Sequence, residues 1–118
     1  MQLEELLSKV RRGERVAFAE TMAVIGANYD YNPTRFFNGV GADRIVNEAG
    51  TNEGSCRIFY FAQLHHLTSD ETLALFGDYY WHDVLAHPES SDHANIRTFM
   101  KHGWAGIAYG GQALKPRD

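Results

Sequence analysis

Leu3, Leu6, Leu7 and Val10 fall at i, i+3, i+4 and i+7, with Glu, Ser, Lys and Arg between them. That spacing lays one apolar stripe along a helix and predicts a first amphipathic element ending near Gly13. Phe18, Met22 and Ile25 keep the period, which predicts a second helix from about Glu14 to Ala27 that turns back on the first. Tyr29-Asp30-Tyr31-Asn32-Pro33 breaks the pattern, because Pro33 pushes Asn32 into an extended conformation. Beyond it, Thr34 to Asn38 and Arg44 to Asn47 flank a glycine-containing loop and predict two short strands.

From Ser55 the chain reads helical again. Cys56, Phe59, Tyr60, Gln63 and Leu67 share one face, while Ile58, Phe61, Ala62 and Leu64 cover another. A helix apolar on more than one side belongs at the centre of a fold. Thr68-Ser69-Asp70-Glu71 is a capping-box sequence. It predicts a following helix with Leu73, Phe76, Tyr80 and Val84 on one stripe, stopping at His87 before Pro88. Ser90, Ser91 and Asp92 are N-cap candidates for a last helix bearing Ile96, Phe99 and Met100, with Gly103 as its stop. The Ile107 to Leu114 segment reads as a hairpin with a Gly-Gly turn, and Lys115 to Asp118 as a fraying tail. The sum is a single α+β domain over residues 1–118, mainly helical, with about five helices and a small antiparallel sheet. Its expected core comprises Leu3, Leu6, Phe18, Met22, Phe59, Phe76, Ile96, Phe99 and Trp104.

Composition narrows the classes. A chain of 118 residues with 44% hydrophobic and 22% charged residues is globular and suits one core. A formal charge of −4 leaves no basic stripe for nucleic acid, and no apolar run approaches the length of a membrane span. One cysteine excludes an internal disulfide and any multi-cysteine zinc site. The opening Met1-Gln2-Leu3-Glu4-Glu5 has neither a basic nor an apolar leader region, so the expected location is the cytoplasm.

The chemistry centres on Asn47-Glu48-Ala49-Gly50-Thr51-Asn52-Glu53-Gly54-Ser55-Cys56, a turn-rich run that ends on the lone thiol at a helix start. Unpaired backbone N–H groups there favour thiolate, which makes Cys56 a candidate nucleophile. His93 can be written as its base, with Asp92 or Asn95 orienting the imidazole. The alternative is a small buried residue on the inner face of a core helix. Six histidines lie in the second half, but His65/His66 and His82/His87 lack the spacing that sets two ligands side by side, so no metal is expected. Glycines form no phosphate-binding pattern, and no cofactor is expected. Tyr79-Tyr80-Trp81 is a second candidate feature. Successive helical side chains point about 100° apart, so at least one ring should reach the surface as a binding residue. Asn47 and Glu48, at the head of the turn-rich run, join that binding set.

Several separated runs also carry a family pattern. They are Glu20-Thr21-Met22-Ala23-Val24-Ile25, the Asn47 to Cys56 run, Phe76-Gly77-Asp78-Tyr79-Tyr80, Asp92 to Met100, and Gly103-Trp104 with Gly106-Ile107. In this order, from about Leu3 to Leu114, the chain resembles the HopJ type III effector family. The resemblance implies a bacterial protein that a type III secretion system delivers into host cells, with a host protein or a secretion chaperone as partner. The family name also covers chromosomal proteins, so a housekeeping cytoplasmic role is the other setting. No catalytic set comes with the resemblance. It implies a non-catalytic interaction module, with a Cys56 thiol enzyme as the alternative. Glu4 and Glu5 depart from the acid-poor export signals of such effectors. Secretion would require unfolding the first helix or a chaperone.

Overall fold

The computed structural model of the chain describes residues 1–117. Helix α1 (Leu3–Arg11) buries Leu6, Leu7 and Val10 and ends before Gly13, as the stripe predicts. Helix α2 (Phe18–Asn28) begins later than expected, because residues 12–17 form a linker in which Val16 is buried. At its start the Ala17 N–H donates to the Glu20 carboxylate at 2.9 Å, half of a capping box that the Ala17 methyl cannot complete. The two helices pack on each other.

Strand β1 (Tyr29–Tyr31) follows directly, then β2 (Phe36–Asn38) and β3 (Ile45–Asn47). The β2–β3 hairpin matches expectation, with Phe37 opposite Val46, but the aromatic run before Pro33 proves to be a strand. Helix α3 (Glu53–Leu64) is central: Ile58, Phe59, Phe61 and Ala62 are fully buried. Phe59 lies 4.8 Å from Phe99, 5.5 Å from Phe76 and 6.1 Å from Phe36, ring centre to ring centre, and so joins both halves of the chain. Helix α4 (Ser69–Ala74) starts on the predicted capping box, with the Glu71 N–H donating to Thr68 Oγ1 and the Thr68 N–H to Glu71 Oε1.

Three expectations fail here. The helix predicted to run on to His87 stops at Ala74, because Gly77 adopts φ +62° against the backbone of Val16 and Phe18. A π-helical segment (Tyr79–Val84) follows, shown by Leu85 N–H donating five residues back to the Tyr80 carbonyl. Helix α5 (Ala94–His102) starts not at Ser90, Ser91 or Asp92 but after His93, whose φ is +51°; Gly103 ends it as predicted. Met100, expected on its apolar face, is exposed.

Strand β4 (Ala108–Tyr109) and strand β5 (Leu114–Pro116) do not pair with each other. Strand β4 joins β2 to give the order β3-β2-β4, whereas β5 pairs antiparallel with β1. The Gly-Gly stretch is therefore a crossing between two small sheets and not a hairpin turn. Nor does the described part of the tail fray: Lys115 stands opposite Asp30, and the Arg117 N–H donates to the Asn28 carbonyl at 3.0 Å. Asp118 lies outside the described residues. Of the expected core, Leu6, Phe59, Phe76, Ile96 and Phe99 are buried, while Leu3, Phe18, Met22 and Trp104 are partly covered at its margin.

Candidate functional site

The starts of α3 and α5 meet at one cleft of about 450 Å³. Asn52, Gly54 and Ser55 line it from α3, and His93, Ala94, Asn95 and Ile96 from α5. Phe18, Ile45, Phe76 and Tyr79 supply the apolar wall. Neither helix has a side-chain cap at its N-terminus, so the N–H groups of both first turns lack intrahelical partners. Asn52 and His93, the residues just before these helices, hold φ +50° and +51°. Such left-handed backbone costs a non-glycine residue roughly 1–2 kcal/mol and persists only where the surroundings enforce it.

A buried asparagine cluster includes Asn52 and, through Asn95, the first turn of α5. Asn47 and Asn95 pair amide to amide at 2.9 and 3.1 Å. Asn38 Nδ2 donates to the Asn95 carbonyl at 2.9 Å and to Asn95 Oδ1 at 3.0 Å. Asn52 Nδ2 reaches Asn47 Oδ1 at 2.7 Å. Strands β2 and β3 and both helix starts are thus tied together behind the cleft. Of the sequence candidates, Asn47 and Asn95 both belong to this scaffold, and Asn95 also lines the cleft. Glu48 is exposed, 3.3 Å from Arg35.

His93 is held from two sides. Its Nε2 is 3.1 Å from Asp83 Oδ2, and its ring leans on Tyr79 at 5.3 Å. The π-helical segment carries both partners four residues apart. An ionised carboxylate only accepts, so Nε2 carries the proton and Nδ1 remains as the ring's acceptor. The orienting carboxylate is Asp83, which spacing did not single out. Asp92 Oδ2 is 3.9 Å away; its other oxygen accepts from Arg97 at 2.7 Å, and that guanidinium holds its pKa below the usual carboxylate range.

The aromatic triplet divides between surface and core. Tyr79 is 43% exposed, its ring 5.0 Å from Phe18 in an edge-to-face pair. Tyr80 and Trp81 pack partly against the core, and the Arg15 guanidinium lies 4.8 Å above the Trp81 ring.

Cys56 is elsewhere. The residue is 1% exposed, and its Sγ donates to the Thr34 carbonyl at 3.5 Å. Tyr109 donates to the Cys56 carbonyl at 2.6 Å, and Tyr31 is also at the thiol. None of these neighbours is a histidine. Burial pushes the thiol pKa up, outweighing the Thr34 backbone, Tyr31 and the nearby Arg57 charge, so the helix start does not deliver a thiolate. Tyr109 is raised by the same burial. Iodoacetamide at about pH 8 should leave the folded protein unlabelled and modify one thiol after unfolding. Rapid labelling of the native state would overturn the buried assignment. These raised values stabilise the fold fully below the unfolded-state pKa values of 9.0 for Cys56 and 10.0 for Tyr109. Stability should therefore fall as pH climbs above about 9.

Other histidines have structural partners. Tyr29 Oη is 2.7 Å from His65 Nε2, and burial lowers the His65 pKa, which leaves a neutral imidazole to accept that bond. His102 Nε2 lies 3.0 Å from Asp43. Among the described residues no three His, Cys, Asp or Glu side chains converge on a point that could hold a metal. No helix among them is long and apolar enough to cross a membrane.

The fold and cleft define a small α+β domain whose polar site is assembled from two helix starts and a π-helical turn. Residues 3–114 match the HopJ type III effector protein model, and the chain belongs to that family. It is similar over 99% of its length, at 45% identity and a TM-score of 0.92, to a solved crystal structure of a protein of unknown function, 95% of which is covered. No curated protein matches it.

Proposed function

We propose that this chain is an effector-like protein that works by holding a protein partner, and that the cleft beside Tyr79 and His93 is where the partner is held. The carrying observation is the cleft itself. Its wall is aromatic and aliphatic, Asn52 and Asn95 are fixed by the asparagine cluster and His93 by Asp83, and no Lys, Arg, Asp or Glu lines it. That composition suits recognition of a partner side chain. Burial of the thiol supports binding over covalent catalysis. Family membership supports delivery by a type III secretion system as the setting, with the cytoplasm as the place of synthesis.

The binding test uses a displayed library of random peptides selected on the immobilised protein. Enriched peptides should bind at least about tenfold more weakly to Tyr79→Ala, the loss typical of a central aromatic contact. Its melting free energy should change by no more than about 1 kcal/mol, because the ring is partly exposed. Enriched peptides indifferent to Tyr79→Ala would move the binding surface elsewhere. A translocation reporter fused to the C-terminus tests the setting: signal inside host cells should require a functional type III apparatus, and signal without that apparatus would sink delivery.

A further inference from the structure

We propose that the group the cleft accepts is a phenol, its ring against Phe18 and Tyr79 and its hydroxyl donating to Nδ1 of His93. The inference rests on the binding reading above and specifies its chemistry. Three observations lead to it.

The first is the state of the imidazole. Asp83 accepts from Nε2 at 3.1 Å, which fixes the tautomer of the neutral ring and leaves the opposite nitrogen as its acceptor. Nδ1 has no hydrogen-bond partner among the described residues, so it is open to a donor that enters the cleft. A carbonyl or an ether cannot supply one; a hydroxyl can.

The second is the wall. Phe18 and Tyr79 already meet edge to face, and His93 leans on Tyr79. A further ring extends this aromatic set with the geometry such rings prefer, each contact adding to area burial. An aliphatic alcohol would fill the space without that gain.

The third is the pairing of charges. With no Lys or Arg in the lining, a fully ionised phosphate or sulfate has no counterion there. The uncapped N–H groups of Gly54 and Ser55 are donors, suited to an oxygen that accepts while its hydrogen is given away. One phenolic oxygen meets both demands, and the more acidic the phenol, the better it serves as donor to Nδ1.

Two sources carry this chemistry, a free phenol and the side chain of a tyrosine in a protein. Amide-resolved NMR titration of the whole chain separates them, using p-cresol, p-cyanophenol, toluene and the blocked peptides Gly-Tyr-Gly and Gly-Phe-Gly. p-Cresol should shift the Gly54, Ser55, Ala94 and Asn95 amides and bind roughly fivefold more tightly than toluene, the worth of one neutral hydrogen bond. p-Cyanophenol, more acidic and less hydrophobic, should bind more tightly still. Gly-Tyr-Gly binding at least as well as p-cresol identifies a tyrosine on a protein; weaker binding identifies a free phenol and overturns the protein-partner reading.

His93→Asn keeps a residue suited to the left-handed backbone while removing the imidazole. In that variant p-cresol should lose most of its advantage over toluene. Toluene matching p-cresol in the native protein overturns the phenol assignment and leaves the cleft as a binding site. The same holds for an affinity order that follows hydrophobicity and not acidity, and for Gly-Phe-Gly matching Gly-Tyr-Gly. If no probe moves the cleft amides, the binding reading falls along with it.

Discussion

Asn95→Leu is expected to destabilise the protein by roughly 2–4 kcal/mol, although leucine is the more hydrophobic residue at a position only 7% exposed. The loss comes from the groups left behind. Asn47 Nδ2 has Asn95 Oδ1 as its acceptor, and it would be orphaned in the interior. A buried donor without a partner costs about 1–3 kcal/mol. Asn47 Oδ1 would keep Asn52 and lose Asn95, while Asn38 would keep only the backbone carbonyl of residue 95. The gain from burying a leucine, about 1.5–3 kcal/mol in an ideal site, is not available where the surroundings are amides. A urea melt should show the drop as a lower midpoint at unchanged slope. A variant within about 0.5 kcal/mol of the parent would mean that water replaces the lost amide.

That cluster also marks the limit of what the chain discloses before folding. Helix α1, the capping box at Thr68, the β2–β3 hairpin and the central place of α3 are all written in local spacing. Each depends on residues within one or two turns of each other. The asparagine cluster draws residues 38, 47, 52 and 95 from four separate segments, and no periodicity links them. Pairing of β1 with β5 spans nearly the whole chain, so the tail looked free when read alone.

The candidate site was half legible for the same reason. His93 and Tyr79 stood out as residue types suited to chemistry and to contact. Asp83 did not, because its link to His93 depends on a π-helical register that follows an unexpected break. Cys56 lay at a helix start as expected, and its burial then reversed the expected effect on the thiol. A helix N-terminus lowers a thiol pKa only when desolvation does not outweigh it.

The break at Gly77 gives a test in which the two readings differ in sign. If residues 69–87 were one helix, Gly77→Ala would stabilise it by about 1 kcal/mol through helix propensity. In the folded protein the same substitution should destabilise by about 3 kcal/mol. Part of that is the left-handed backbone at φ +62°, worth roughly 1–2 kcal/mol for any residue with a Cβ. The rest is overlap: a Cβ there would lie 2.6 Å from the Phe18 nitrogen and 3.0 Å from the Val16 carbonyl oxygen. Both are backbone atoms at the entry to α2, which cannot rotate away as a side chain tip can. Gly26 supplies the internal control. It sits inside α2 with nothing within 4 Å of an added Cβ and no positive φ, so Gly26→Ala should stabilise by about 0.5–1 kcal/mol. Thermal melts of the two variants should therefore move in opposite directions from the parent. A Gly77→Ala protein that melts higher, alongside Gly26→Ala, would restore the continuous helix and remove the π-helical turn that brings Tyr79 and Asp83 to His93.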